Sequence, residues 1–169
     1  EQVIHYADII KSQIGSASKV YFSIQTNGTL ITEQFVHECD TRNIGISLSI
    51  DGPNEYHNKH RKFKNNDDSF ICVMNAVHIL NKHPNVFEGV IGVIDPLFNV
   101  KNVFDFFDNT CFPSVDLLLP DSTYLDLPLG REKNKNIYID WLIAAFDAWF
   151  FEHPNIQMRT FDTNMNLKH

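Results

Sequence analysis

The chain has 169 residues, of which 43% are hydrophobic, and it carries a formal net charge of −7. This size fits one globular domain or part of a larger one. The negative charge argues against nucleic acid or an anionic lipid surface as a partner. No stretch approaches the roughly 20 apolar residues of a membrane-spanning helix, so we expect no membrane association.

The sequence begins without an initiating Met, inside an apparent helix, and we interpret it as the middle of a longer protein. Three cysteines, Cys39, Cys72 and Cys111, are far apart and form no C-x-x-C pair. Such spacing predicts reduced thiols, buried in helices, in a cytoplasmic protein. His57 and His60 form an H-x-x-H pair, but no third ligand lies at metal-binding spacing, so we predict no metal site within these residues.

Helical and strand patterns alternate along the chain. Apolar residues at helical spacing predict helices over residues 1–14, 33–43, 70–83, 100–107 and 136–152. Alternating or continuous apolar residues predict strands over residues 20–25, 44–51, 87–94 and 115–119, and we expect a fifth strand to begin over 156–161. Strands and helices at such short intervals indicate a parallel sheet with right-handed crossovers.

The strand at residues 44–51 is the clearest element. Its apolar residues alternate with Gly45, Ser47, Ser49 and Asp51, which indicates one apolar face and one small, polar face. We expect Asp51 to bond the amides of the Asp-Gly-Pro turn that follows, and residues 57–64 to form a basic loop. Hydroxyls and a carboxylate at a strand end, next to basic residues, suit an anionic or zwitterionic small ligand. A solvated loop face is the alternative interpretation.

Two open alternatives are a doubly wound sheet and an α/β barrel. The strands at 20–25 and 44–51 each carry a polar face, which favours a barrel with a polar lumen. No G-x-G-x-x-G follows any strand, which weakens a dinucleotide-binding fold. The helix over 136–152 is apolar on two sides, so we expect further chain or a partner to cover one of them.

The motifs F-S-I-Q-T-N-G-T-L at residues 22–30, S-I-D-G-P at 49–53, and His57 with Arg61 four residues later resemble radical S-adenosylmethionine (AdoMet) enzymes. The branch is the SPASM type, which includes anaerobic sulfatase maturases and peptide-modifying maturases. L-L-L-P-D-S-T at 117–123 resembles members that crosslink peptides. The resemblance implies a fragment of a partial (β/α)6 TIM-like barrel with about four parallel strands and flanking helices. It would be one partial domain over 1–169, holding the third to sixth β/α units, without a second domain.

The resemblance also implies a cofactor site. Asn27 and Ser49 would lie beside the methionine part of AdoMet, Arg61 would pair with its carboxylate, and Gln25 would point into the lumen. The main chain at Leu119 and the glycine-rich strand at residues 89–93 would form the adenine-side wall, where glycine lets a flat ring approach. We expect Asn27, Ser49 and Arg61 to converge at one rim of the barrel. The catalytic residues stay unassigned.

The family's C-x-x-x-C-x-x-C motif, which holds a [4Fe–4S] cluster, is absent from these residues, so its ligands would belong to the full-length protein and we expect the fragment alone to be inactive. The implied activity is hydrogen abstraction from a protein or peptide substrate through a 5′-deoxyadenosyl radical, with flavodoxin or ferredoxin as electron donor. One alternative is a non-catalytic barrel remnant that binds a peptide or protein partner. A second alternative, an unrelated barrel that binds phosphate, is less well supported. It would need glycines at helix N-termini after the late strands, and the sequence shows none there.

Overall fold

A computed structural model of the chain describes residues 2–14, 18–123 and 125–165. The chain forms two compact units. One comprises Glu1–Ser49 with Ile71–Glu88, and the other comprises Ile50–Phe70 with Gly89–His169.

Seven α-helices, four strands and one π-helical turn are present in the described part of the chain. In chain order they are α1 Gln2–Ile14, β1 Phe22–Thr26, α2 Glu33–Thr41, β2 Ile44–Ser49, α3 Asn54–His60, α4 Phe70–Leu80, β3 Phe87–Val93, α5 Val100–Thr110, β4 Val115–Leu118, α6 Ile137–Asp147, the π-helical turn Ala148–Glu152, and α7 Arg159–Met165.

The strands follow the order β1-β2-β3-β4. β1 and β2 are parallel, with Phe22 opposite Ile44, and β3 and β4 are parallel, with Val90 opposite Val115. Because parallel strands need a crossover of a dozen or more residues, a helix separates each strand from the next. The predicted α/β fold of four parallel strands with flanking helices is confirmed.

The core of the first unit forms around β2, in which every residue is buried. Ile44, Ile46 and Leu48 are fully buried, as are Val36 and Cys39 of α2. The Thr32 hydroxyl accepts a hydrogen bond from the Phe35 amide at 3.2 Å and so caps the start of α2. The alternation that predicted a half-polar strand therefore marks a strand buried on both faces.

In the second unit, α6 covers the core with one face only. Trp141 and Trp149 are buried, and their indole N–H groups donate to the main-chain oxygens of Phe98 and Ile156 at 3.0 and 2.9 Å. Ile139 and Ile143, on another side of α6, are each 58% exposed. The helix is therefore apolar on two sides, as predicted, and this unit buries one of them.

Two elements differ from the sequence predictions. The basic segment at 57–64, predicted as a loop, begins inside α3, because the Pro53 carbonyl accepts hydrogen bonds from the Tyr56 and His57 amides and starts a helix. The fifth strand over 156–161 is also wrong: a single bridge joins Met158 to Val115, and α7 follows. The Thr160 hydroxyl accepts from the Leu117 amide at 3.0 Å, so a side chain replaces the next main-chain bond of a strand.

The three thiols have different environments. Cys39 is buried, Cys72 is half-buried, and Cys111 is exposed. Burial raises the pKa of the Cys39 thiol to about 11. Cys111 has left-handed backbone angles (φ 52°) where α5 ends, which places it beyond the buried helix face and contradicts the expectation that all three would be buried.

Candidate functional site

In the first unit, the predicted cofactor residues lie at the ends of β1 and β2. Gln25 donates a hydrogen bond from Nε2 to the Ser49 hydroxyl at 3.3 Å. Asn27 uses its Oδ1 atom to accept from the Thr29 amide and hydroxyl, at 3.3 and 3.1 Å, which fixes the turn. Its amide nitrogen has no partner among the described residues and remains free to donate.

Gly28 is required in this turn for two reasons. Its φ is +76°, which disfavours any residue with a Cβ. An added Cβ would also lie 2.9 Å from Leu48 Cδ2. The T-N-G motif therefore has a local structural reason in addition to the cofactor role that the resemblance implies.

A second polar cluster of the first unit was not predicted. The carboxylate of Glu88 accepts hydrogen bonds from the hydroxyls of Tyr21 at 2.5 Å, of Ser47 at 3.3 Å, and of Ser23. The Glu88 bond raises the pKa of Tyr21. At Gly45, an added Cβ would lie 2.0 Å from Glu88 Oε1. A lone charged residue in the apolar run of β3 was the signal for this cluster.

In the second unit, Arg61 forms a two-point ion pair with Asp51. The Nε–Oδ2 distance is 2.6 Å and the Nη2–Oδ1 distance is 2.9 Å. The Asp51 side chain is 3% exposed, and its Oδ1 also accepts from the Val93 amide at 2.9 Å. The prediction that Asp51 bonds the amides of its own turn is therefore wrong, because the carboxylate points to Arg61 and β3 instead.

The main chain of Arg61 is held by a second set of bonds. The Ser69 hydroxyl donates to the Arg61 carbonyl oxygen at 2.6 Å and lies 3.1 Å from His57 Nε2. Because the Ser69 proton goes to Arg61, His57 must donate from Nε2, which leaves its buried Nδ1 without a partner among the described residues. Burial lowers the pKa of His57, which is fully buried. These contacts show that His57 stabilises the fold of the segment that carries Arg61.

Asn58 completes this arrangement. Its Oδ1 atom accepts from the amides of Ser69 and Phe70, each at 3.1 Å. These are amides at the start of α4, which lack partners within the helix. The side chains of α3 therefore hold the segment that carries Arg61.

Asp95, two residues after β3, is a further buried carboxylate, and the sequence patterns did not indicate it as a site residue. Its side chain is 4% exposed, and its Oδ2 lies 2.7 Å from Lys59 Nζ and 2.7 Å from His60 Nε2. Burial opposes ionisation, but the bonds from Lys59 and His60 outweigh it and lower the pKa of Asp95. The signal for this site was the basic segment at 57–64, whose charges need a counter-ion.

A cavity of about 310 Å³ joins these groups. It is lined by Asp51, His60, Arg61, Asp95 and Tyr138 together with the apolar residues Val93, Ile94, Pro120 and Leu129. The Tyr138 hydroxyl oxygen is buried and has no hydrogen-bond partner among the described residues. Burial, and next the negative charges of Asp95 and Glu132, raise the pKa of Tyr138. A cavity with charged and apolar walls suits a ligand that has both characters.

The glycines of β3 have a structural reason that is independent of the predicted approach of a ring, which stays a prediction. An added Cβ at Gly89 would lie 2.2 Å from the Ser114 carbonyl oxygen, and one at Gly92 would lie 2.7 Å from that of Ile50. Glycine is needed at both positions because neighbouring main chain approaches closely, whether or not a ring binds there.

Gln25, Asn27 and Ser49 belong to the first unit, whereas Arg61 and Leu119 belong to the second. Their convergence on one ligand stays a prediction. Leu119 follows β4 and its side chain is 58% exposed. In the described part of the chain, no group of three His, Cys, Asp or Glu residues could hold a metal ion. No described helix has both the length and the apolar character that crossing a membrane requires.

Comparison with known proteins identifies relatives for most of the chain. The cysteine-type anaerobic sulfatase-maturating enzyme of Clostridium perfringens (strain ATCC 13124) is 31% identical over 155 residues, which cover 85% of this chain and 40% of the relative. The chain is related to the anaerobic sulfatase-maturating enzymes. It spans about two fifths or less of the curated sulfatase-maturating enzymes that it matches.

Solved structures of an anaerobic sulfatase-maturating enzyme have the same fold. Native anSMEcpe with bound AdoMet has a TM-score of 0.72 and 27% identity, over 85% of this chain and 41% of that chain. Native anSMEcpe with bound AdoMet and Kp18Cys peptide has a TM-score of 0.80 at 24% identity, over 95% of this chain and 46% of that chain. No protein-family model matches the sequence.

Proposed function

We propose that the chain is the middle part of a radical AdoMet maturase that modifies a protein or peptide substrate, and that Arg61 binds the AdoMet carboxylate. Gln25, Asn27 and Ser49 would contact the methionine part, and the main chain at Leu119 would contact the adenine. When bound, AdoMet and a [4Fe–4S] cluster of the full-length protein would supply the 5′-deoxyadenosyl radical for hydrogen abstraction. The relationship to the sulfatase-maturating enzymes and the cavity at Arg61 support this proposal.

The observation that carries the proposal is that the Arg61 guanidinium lines the cavity and still has N–H donors available for a ligand. An arginine side chain has five N–H donors, and Asp51 accepts from two of them, on Nε and Nη2. Three donors remain without a partner among the described residues, and Arg61 lines the cavity. The Asp51 pair orients the planar fork in advance, so a ligand carboxylate would meet donors that already have a fixed geometry.

The remaining cofactor residues have groups that suit the same ligand. The Asn27 amide nitrogen can donate, because only its Oδ1 is used. The Ser49 hydroxyl accepts from Gln25 and keeps its own proton to donate. Both groups are uncharged donors, which is what a carboxylate or a ribose oxygen needs.

The test is AdoMet binding to the full-length protein, measured by isothermal titration calorimetry with the wild type, Arg61→Ala and Arg61→Lys. Loss of a charge-assisted hydrogen-bond pair of about 1.5–3 kcal/mol predicts roughly 10- to 100-fold weaker binding for Arg61→Ala. Lysine keeps the charge but lacks the planar pair of donors, so the AdoMet affinity of Arg61→Lys should lie between those of the wild type and Arg61→Ala.

Arg42→Ala is the matched control, because Arg42 is also paired with one aspartate, Asp8, at 3.2 Å on the surface. It should bind AdoMet like the wild type. Wild-type affinity in a folded Arg61→Ala protein, judged by its circular dichroism, would show that the carboxylate assignment is wrong.

The complete reading frame tests the wider proposal. A C-x-x-x-C-x-x-C upstream of Glu1 would identify a radical enzyme, which then needs an electron donor such as flavodoxin or ferredoxin. Absence of that motif would favour the non-catalytic remnant. The three free cysteines agree with a cytoplasmic location, where thiols stay reduced.

A further inference from the structure

A groove in the second unit lies along the segment that follows β4. Two recesses form it, of about 290 and 760 Å³, and both contact Arg131 and Lys135. Leu119, Pro120, Ile139 and Leu142 line the first recess and give it an apolar floor. We refer to the two recesses together as the 119–142 groove.

The floor of the groove is unusually exposed for apolar side chains. Leu119 and Ile139 are each 58% exposed, and Leu127, which lines the second recess, is 52% exposed. A contiguous apolar surface of this kind, with a polar rim, is typical of interaction sites.

The rim of the groove carries two cations, Arg131 and Lys135, beside the single lining carboxylate of Glu132. The net charge of the chain is −7, and elsewhere cations such as Lys82 and Lys101 are paired with carboxylates at 2.5 and 3.2 Å. Arg131 and Lys135 have no such partner among the described residues. Two unpaired cations beside an apolar floor are complementary to a carboxylate flanked by apolar groups.

The groove adjoins the cavity at Arg61. Pro120 and Tyr138 line both the groove and that cavity. The Tyr138 hydroxyl is buried without a partner in the described part of the chain, and its raised pKa keeps it protonated. The groove and the cavity therefore share a wall at Pro120 and Tyr138.

We propose that the 119–142 groove binds an extended peptide segment in which apolar side chains flank an aspartate or a glutamate. If the cavity at Arg61 holds AdoMet, as proposed above, this segment belongs to the substrate. The groove would then hold the peptide beside the reacting atoms, so the substrate class would be acidic and apolar peptides.

A peptide fits the groove better than a nucleic acid or an anionic membrane does. Glu132 lines the same recess as Arg131, and Asp121 and Asp126 lie in the same segment. These carboxylates would repel a polyanion or an anionic lipid surface, whereas a single acidic side chain can avoid them. Among its described lining residues, the floor also has no stacked aromatic rings of the kind that bind single-stranded nucleic acids.

The experiment selects randomised dodecapeptides displayed on phage against the full-length protein. We expect enrichment of peptides with an aspartate or glutamate between apolar residues. The strongest peptide, fluorescently labelled, then gives dissociation constants by anisotropy for protein variants. Its analogue with asparagine or glutamine at the acidic position should bind about fivefold more weakly, since exposed ion pairs contribute little each.

Matched variants locate the binding site. Arg131→Ala with Lys135→Ala should weaken binding about fivefold, whereas Lys133→Ala, in the same segment but outside both recesses, should not. Ile139→Ser should also weaken binding, and Ile71→Ser, which alters an even more exposed isoleucine of α4, should not. These are exposed positions, so the variants are expected to fold.

Three outcomes would overturn the proposal: no enriched acidic peptide, equal effects of Lys133→Ala and of the Arg131→Ala/Lys135→Ala double variant, or binding of phosphatidylserine vesicles through Arg131 and Lys135 in place of any peptide. AdoMet binding is measured separately on the same protein. Selective peptide binding without AdoMet binding would contradict the proposed cofactor site and leave the groove assignment intact. AdoMet binding without peptide selectivity would contradict the groove assignment and leave the proposed cofactor site intact.

Discussion

The Ser69 hydroxyl donates a 2.6 Å hydrogen bond to the main-chain carbonyl oxygen of Arg61. Through this bond a buried side chain at the start of α4 fixes the backbone of the arginine that lines the cavity. Since Asp51 fixes the guanidinium at the other end of the same residue, Arg61 is held at both its main chain and its side chain.

Removal of the Ser69 hydroxyl should destabilise the protein. In Ser69→Ala the Arg61 carbonyl and the His57 Nε2–H both lose their partner, and unsatisfied buried polar groups cost about 1–3 kcal/mol each. We expect the free energy of unfolding in urea to fall by at least about 1 kcal/mol. Ser12→Ala, which removes an exposed hydroxyl bonded to Ile9, should change it by less than about 0.5 kcal/mol. Equal effects of the two substitutions would contradict the role of Ser69.

Stability should decrease as the pH falls below about 6.5, in part because of His57. Burial lowers its pKa in the folded protein below the ordinary 6.5, so the unfolded chain binds the proton more tightly and acid favours unfolding. The loss begins near pH 6.5 and ends once the pH is below the folded pKa. His57→Gln should give a shallower slope of unfolding free energy against pH over this range. His37→Gln, at an exposed position, should leave the slope closer to that of the wild type.

Gly45 and Glu88 should be energetically coupled. A Cβ at residue 45 would lie 2.0 Å from Glu88 Oε1, so Gly45→Ala should displace this half-buried carboxylate and weaken its hydrogen bonds to Ser23 and Ser47, at a cost of about 1 kcal/mol. In a Glu88→Ala background the carboxylate is gone, and the same substitution should cost much less. Urea unfolding of the two single variants and the double variant measures this difference. If the effects of the two substitutions are additive, contact between the new Cβ and the Glu88 carboxylate is not the cause of the lost stability.

Asp95 should stabilise the protein at neutral pH and lose this effect in acid. Its folded pKa lies below the ordinary 3.8, so its contribution is complete above about pH 4 and disappears as the pH falls through the folded value. Asp95→Asn removes the charge that Lys59 and His60 contact and should cost about 1–3 kcal/mol at pH 7. Asp68→Asn is the control, because its pair with Lys62 is exposed and 3.7 Å long. A thermal unfolding series between pH 3 and 7 would compare them.

The sequence predicted the strands well because their apolar residues repeat with a clear period. β2 combined strict alternation with a turn signal at residues 51–53, and its predicted and observed positions nearly coincide. α3 was missed because its residues are almost all polar, with no apolar periodicity to indicate a helix. Its stability comes from contacts distant in sequence, such as those of Asn58 with Ser69 and Phe70.

Sequence patterns indicated which residues belong to the candidate site better than they indicated which of these residues bind each other. Arg61 and Asp51 were both singled out, but no spacing rule indicates that they bind each other, since Asp before Gly most often bonds its own turn. Glu88, within the apolar strand β3, and Asp95, just after it, were missed for a related reason: a single charge in or beside an apolar strand has no visible partner until the strands are aligned. Thr160 likewise satisfies β4 with a side chain, which a strand pattern does not distinguish from main-chain pairing.

The exposed thiol at the end of α5 makes the chain convenient to label. At neutral pH a maleimide dye or spin label should attach first at Cys111, because Cys39 is buried and its pKa of about 11 keeps it in the unreactive thiol form. Spectroscopic distances from position 111 could then be recorded on the natural sequence, before any cysteine is removed.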